Sequence, residues 1–254
     1  MNAPPWKRRI ERATELVEVF PAAGELLKFY CRISAFQESV FEGLRHAGCT
    51  DLNSVARHLP DLCALIQKEG NATLAACATE LRERGIDMWE AMLRSCWEDR
   101  RSGFTPDGAQ EFFSRALLQP YAEYLASRSD APKEAEGVCP FCTARPVVGV
   151  LRPEGEGARR SLICSLCGTE WVYRRIVCPN CGEADKGKLP IYKAGGIGHV
   201  RIEACDSCHR YLKSVDLTIN GLAVPVVDEL ATVALNLWAE ETGYVKIEAN
   251  LLGL

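Results

Sequence analysis

Apolar residues recur at helical spacing through the first half of the chain. Ile10, Ala13, Leu16, Val17 and Phe20 mark one helix face that Pro21 ends. Leu26, Leu27, Phe29, Tyr30, Ile33, Phe36, Val40, Phe41 and Leu44 mark a second, closed by Gly48. Further helices are predicted at 52–68, 72–84, 86–101 and 107–128, punctuated by Gly70, Gly85, Gly103 and Pro106, and Pro120 is expected to kink or split the last. The polar run 129–137, SDAPKEAEG, then reads as a linker.

Beyond the linker the period changes. Residues 147–151 and 161–163 flank a Pro/Glu/Gly turn, and residues 189–192 and 200–202 flank the glycine-rich turn 194–198, as two β-hairpins would. Alternation places Trp171 and Tyr173 on one strand face and Val172 and Arg174 on the other. A last helix is predicted over 223–244, opened by Pro225 and striped by Leu230, Val233, Ala234, Leu237 and Trp238, which are expected to pack against the rest of the molecule. The pattern predicts an α+β chain: an irregular helical domain at 1–130, a linker at 131–137, two hairpin units at 138–176 and 177–220, and a C-terminal helix and tail at 221–254.

Composition adds constraints. The chain has 254 residues, 47% of them hydrophobic and 25% charged, which excludes disorder as its dominant state. Its net charge of −4 disfavours a generally basic nucleic-acid binder. Residues 138–213 nevertheless carry 12 basic and 7 acidic side chains between acidic flanks. A tetrathiolate site holding a divalent ion is formally dianionic, so two such sites would nearly neutralise this local excess. Lys7, Arg8 and Arg9 are followed by Ile10-Glu11-Arg12 rather than an apolar stretch, so no signal peptide is read. The apolar run 231–239 falls well short of the roughly 20 residues of a membrane span. A soluble chain of a reducing compartment is expected.

The 13 cysteines divide unevenly. Cys31, Cys49, Cys63, Cys77 and Cys96 stand singly in the helical region and are expected to pack as small hydrophobes. His46 and His58 read as capping or surface groups. The other eight form four C-x-x-C pairs: Cys139/Cys142, Cys164/Cys167, Cys178/Cys181 and Cys205/Cys208. Cys178 follows Cys139 by 39 positions and Cys205 follows Cys164 by 41, so one unit is repeated. A C-x-x-C turn aims both sulfurs at one ion, and Gly168 and Gly182 sit just past their turns, where a positive φ is often needed. Neither hairpin has enough apolar surface to fold alone, and a structural zinc ion supplies about 10–16 kcal/mol in small peptides. Two four-sulfur sites are predicted, Cys139, Cys142, Cys164 and Cys167 in one and Cys178, Cys181, Cys205 and Cys208 in the other, with cross-braced pairing as the alternative. Zinc and rubredoxin-type iron suit such sites equally. His199 and His209 read as surface or supporting residues.

Four sulfurs leave no open coordination position, which disfavours a hydrolytic metalloenzyme. Two readings remain: structural or redox sites in a protein-binding module, or a nucleic-acid-binding zinc ribbon in which Arg159, Arg160, Arg174, Arg175, Trp171 and Tyr173 pair and stack.

Cys139-Pro-Phe-Cys142, Leu162-Ile-Cys164-Ser-Leu-Cys167-Gly-Thr-Glu-Trp171, Val177-Cys178-Pro-Asn-Cys181-Gly, Lys188-Leu189 and Glu203-Ala-Cys205-Asp-Ser-Cys208-His-Arg-Tyr-Leu-Lys213 together resemble the formate dehydrogenase accessory proteins of the FdhE type. The resemblance extends upstream to Leu26-Leu-Lys-Phe29 through Gln37 and downstream to Asp228-Glu-Leu through Gly243-Tyr244. The ending, Asn250-Leu-Leu-Gly-Leu254, departs from the Asn-Pro-Phe common in the family. The resemblance implies a helical domain joined to two tandem rubredoxin-like metal subdomains, with iron favoured over zinc. It further implies a non-catalytic cytoplasmic factor that binds the catalytic subunit of a respiratory formate dehydrogenase and is needed for its activity, with no nucleic acid and no membrane span. Self-association is left open.

Overall fold

The computed structural model describes residues 5–48, 50–101, 108–130 and 135–254. Cys49, Gly103, Pro106, Asp107 and linker positions 131–134, all named above, lie outside them. Helix α1 (Pro5–Val19) ends before Pro21, and a 3-10 turn, Pro21–Ala23, leads into α2 (Gly24–Ala47). Gly48 closes α2 at φ +66°, its amide donating to the Leu44 carbonyl at 2.9 Å.

The single helix expected over 52–68 is two, α3 (Leu52–Ala56) and α4 (Leu59–Glu69). Pro60 is the reason. It fits the first turn of α4, but inside a continuous helix it would leave the Ala56 carbonyl without its donor. Asp51 caps α3 through the Ser54 amide at 2.8 Å, and Asn71 caps α5 (Ala72–Arg82) through the Leu74 amide at 2.9 Å. Helix α6 (Ile86–Glu98) runs into a 3-10 turn, Asp99–Arg101.

Of the kink or split expected at Pro120, the split does not occur: α7 (Ala109–Ala126) continues through it. The proline removes the amide that would bond the Ala116 carbonyl, and the buried Gln37 side chain of α2 donates to that carbonyl instead, at 3.0 Å. A tertiary hydrogen bond thus replaces the missing helical one.

The two hairpin units form one mixed sheet. Its strands are β1 (Pro146–Glu154), β2 (Gly157–Cys164), β3 (Glu170–Val172), β4 (Ile191–Lys193), β5 (Val200–Cys205), β6 (Arg210–Asp216) and β7 (Val245–Lys246). The order is β3-β2-β1-β6-β5-β4, with β7 also paired to β6. Neighbours within each unit are antiparallel, and the seam between units, β1 against β6, is parallel. Gly149 faces Ser214 across that seam, and a Cβ at Gly149 would stand 2.2 Å from the Ser214 Oγ. A side chain at this position would crowd Ser214 at the seam, and glycine leaves the two units room to approach.

Adjacent residues of β2 feed two cores. Leu162 and Cys164 join the large cluster shared with the helices, while Ile163 joins a smaller cluster with Val150, Ile202, Tyr211 and Val215.

The helix expected over 223–244 is also two, α8 (Pro225–Ala231) and α9 (Ala234–Glu241). The fully buried Lys213 ammonium donates to the Glu229 carbonyl at 2.5 Å and the Thr232 carbonyl at 3.3 Å, and the Thr232 hydroxyl donates to the Asp228 carbonyl at 2.9 Å. These bonds take over the carbonyls at the end of α8. After the break, α9 buries Leu235, Asn236 and Ala239, leaving Leu237 and Trp238, expected in the packed stripe, exposed.

The divergent tail is anchored by charge. The Glu229 carboxylate, buried, pairs with Lys213 at 2.9 Å and with Lys246, and accepts from the Asn250 amide at 3.1 Å. Arg115 of α7 holds Glu248 and donates to the Asn250 carbonyl at 2.8 Å. Among the described residues, no helix is long and apolar enough to cross a membrane.

Candidate metal centres

All four C-x-x-C turns share one backbone design. The residue after each second cysteine has a positive φ: Thr143 (65°), Gly168 (65°), Gly182 (79°) and His209 (52°). The glycines were legible as such, whereas Thr143 and His209 take a conformation their types seldom adopt. In each turn the first cysteine also pairs with the residue five positions on. The Cys139 amide donates to Ala144, Cys164 to Thr169 and Cys178 to Glu183, at 2.9–3.0 Å, and Cys205 and Arg210 are partners in the β5·β6 ladder.

These turns bring the sulfurs together as local pairs of turns rather than cross-braced. Cys139, Cys142, Cys164 and Cys167 form one group and Cys178, Cys181, Cys205 and Cys208 the other, all sulfurs within each lying within 4.8 Å of one another. Cys139 and Cys167 are 3.5 Å apart and Cys142 and Cys164 are 3.3 Å apart. Both short pairs of the second group, Cys178/Cys208 and Cys181/Cys205, are at 3.7 Å. A tetrahedron with metal–sulfur bonds of about 2.3 Å has edges near 3.8 Å. At these distances no two sulfurs are joined as a disulfide, and every described cysteine is outside one.

The electrostatics fit a cation. Hydrogen bonding from the neighbouring thiols draws the Cys139 pKa down, while burial drives those of Cys164 and Cys178 up. Buried sulfurs in contact cannot all ionise without a positive charge between them, and a coordinated metal ion supplies one. Both groups have the donors and spacing to bind a metal ion.

Their surroundings differ. The first group is 1–3% exposed and belongs to the core shared with the helices. Arg100 donates to the Cys142 carbonyl at 2.7 Å, and Gln119 of α7 to the Ser165 carbonyl at 2.9 Å, so the helical region grips both turns. In the second group Cys178 and Cys205 are buried, Cys208 is half-buried and Cys181 is exposed. Its turns are braced at the rim by Ser207 donating to Glu183 at 2.5 Å and Tyr244 to Asp206 at 2.6 Å.

Of the single cysteines, Cys63 is fully buried, and burial pushes its thiol up to about 11; Cys31, Cys77 and Cys96 are half-buried against the same core. The histidines lie outside both sulfur groups. His199 sits 2.8 Å from Asp228, which Arg12 of α1 also holds at 2.6 Å, and His209 contacts Tyr244. Trp171, Tyr173 and Arg160 are buried, Arg160 pairing with Glu203 at 2.6 Å, so the stacking platform of the nucleic-acid reading is part of the core. Lys213, named above only within a motif, proves central to α8, and nothing in its local sequence pattern marks it as buried.

Fold and sites define a protein in which a helical region and a mixed sheet carry two tetracysteine metal-binding groups. The family model for the FdhE central domain matches residues 138–175 and that for the FdhE C-terminal domain residues 176–252. An FdhE homolog of Aquifex aeolicus is 36% identical, covering 96% of this chain and 94% of that one, and one of Pseudomonas aeruginosa is 31% identical, covering 97% and 89%. The crystal structure of the FdhE protein from Pseudomonas aeruginosa superposes with a TM-score of 0.73 at 25% identity, covering 99% of this chain and 97% of that one. The chain belongs to the FdhE family.

Proposed function

We propose that this chain is a cytoplasmic, non-catalytic maturation factor that binds the catalytic subunit of a respiratory formate dehydrogenase and is needed for its activity. The observation that carries the reading is the pair of tetracysteine groups in one sheet, in a chain of the FdhE family. In this reading each group is a rubredoxin-like centre with the eight cysteines as ligands, iron is the resident metal, and the four sulfurs, which leave no coordination position for substrate, give it a structural or electron-holding role. The exposed side chains of Ile191, Leu237, Trp238 and Val245, which lie on elements around the second centre, offer apolar surface for a client.

The test is genetic. Deleting the gene in its host is expected to abolish formate oxidation, and Cys178→Ala or Cys205→Ala is expected not to restore it. Normal activity in the deletion strain would remove the accessory role, and full rescue by both variants would remove the role of the second centre. Iron is tested by an absorption spectrum after anaerobic purification, because ferric tetrathiolate absorbs in the visible and zinc does not.

A further inference from the structure

Both groups have the same donors and turn geometry, yet their sulfurs meet solvent very differently. An entering ligand can reach the first centre only if the helical region lets go, because Cys139, Cys142, Cys164 and Cys167 are 1–3% exposed and the intervening Ser165 and Leu166 are buried too. Opening it means breaking the bonds of Arg100 and Gln119 to the turn carbonyls, a local unfolding event. The second centre needs no such event. Cys181 is exposed, Cys208 is half-buried, and Asn180, Gly182, Asp206, Ser207 and His209 around them are all exposed.

We infer that the second tetracysteine group is a metal-exchange site, which takes up and releases its ion through the Cys181 side by ligand exchange with external thiols, while the first group keeps its ion for the life of the fold. This rests on the reading that both groups hold a metal. The exchange step is a substitution. An entering thiolate forms a bond to the metal as the bond to the Cys181 Sγ breaks, and the displaced Cys181 sulfur takes the proton the entering thiol gave up. Metal oxidation state and total charge are unchanged. Cys208 follows by the same step, and the two buried sulfurs, Cys178 and Cys205, release the ion last. The entering ligand is a small or protein-borne thiol, the class of donor that matches a soft thiolate site.

The test uses the full chain loaded with zinc, which takes the same four sulfurs and is redox-silent. Zinc release to a chromogenic chelator is followed with increasing reduced glutathione, and short exposures to iodoacetamide are read by peptide mass spectrometry. Release is expected in two equal phases, the first at least about tenfold faster and rising with glutathione, the second insensitive to it. Alkylation should reach Cys181 and then Cys208 during the fast phase, with the first four cysteines protected. Cys181→Ser should start with one zinc per chain and show only the slow phase. One phase for both ions, or early labelling of Cys139, Cys142, Cys164 or Cys167, would overturn the assignment. A folded wild-type chain that takes up no zinc would overturn the two-metal reading beneath it, and the metal content before release distinguishes that failure from the others.

Discussion

The two tetracysteine groups are near copies in sequence and opposites in setting. Each is built from two C-x-x-C turns, each turn followed by a residue at positive φ, and each ends with four sulfurs in mutual contact. The first lies sealed in the core that the helices share, and the second stands at the rim of the sheet with Cys181 in solvent. The sulfur set is thus a property of the local turn, while its access to solvent depends on what is packed over it: Arg100 and Gln119 hold the turns of the first centre, whereas the second is braced at its rim by Ser207 on Glu183 and Tyr244 on Asp206 and from beneath by Tyr173 on the Cys178 carbonyl.

The largest effect should separate the two directly. Cys164→Ser leaves a sealed centre without a ligand, and metal sites of this type supply about 10 kcal/mol or more of folding free energy in small domains. Loss of the cooperative thermal transition by circular dichroism is expected there, whereas Cys181→Ser should still unfold cooperatively. Equal damage from both would erase the distinction.

Next comes the ionic anchor beneath the second unit. Glu229→Gln leaves the buried Lys213 and Lys246 without their carboxylate and is expected to cost about 3–5 kcal/mol, read from urea midpoints. Burial opposes the Glu229 charge, but Lys213 and Lys246 outweigh it and bring the pKa from 4.5 down to about 2. A depressed carboxylate stabilises the fold above its unfolded pKa, and that stability is lost as pH falls through the folded value. The advantage of the natural chain over Glu229→Gln should therefore be full at neutral pH and shrink between about pH 4.5 and 2; a constant difference would mean that the carboxylate charge contributes nothing.

A smaller cost, about 1–3 kcal/mol, is expected for Gly149→Val, which forces β1 and β6 apart at the seam of the two units. An unchanged urea midpoint would show that the seam can give. Arg152→Ala breaks a partly exposed pair with Glu170 in the first unit and should change stability by less than about 1 kcal/mol. A larger loss would mean that the first unit depends on its surface as well as on its seal.

Much of this architecture was legible in the residues. Spacing singled out the eight cysteines and the tandem repeat favoured their local grouping over cross-bracing, and the helical pattern located α1, α2, α5, α6 and α7. Where expectation and structure part, one distant contact usually decides. Gln37 supplies the hydrogen bond that lets α7 continue through Pro120, and Lys213 ends α8 by taking its carbonyls. Periodicity within a segment carries no trace of a partner 79 residues away. Pro60 is the contrary case: the residue was in plain view and local sterics sufficed to split α3 from α4. The parallel seam was invisible because each hairpin is complete in its own pattern, and so was the difference in exposure between the two centres, which depends on where α7 lies.

Native mass spectrometry of the metal-loaded full chain during slow titration with a chelator tests the inequality of the two centres most directly. The account predicts a long-lived species carrying one metal ion, with Cys181 and Cys208 open to alkylation and Cys139, Cys142, Cys164 and Cys167 closed. Passage from two ions to none without that species would contradict it.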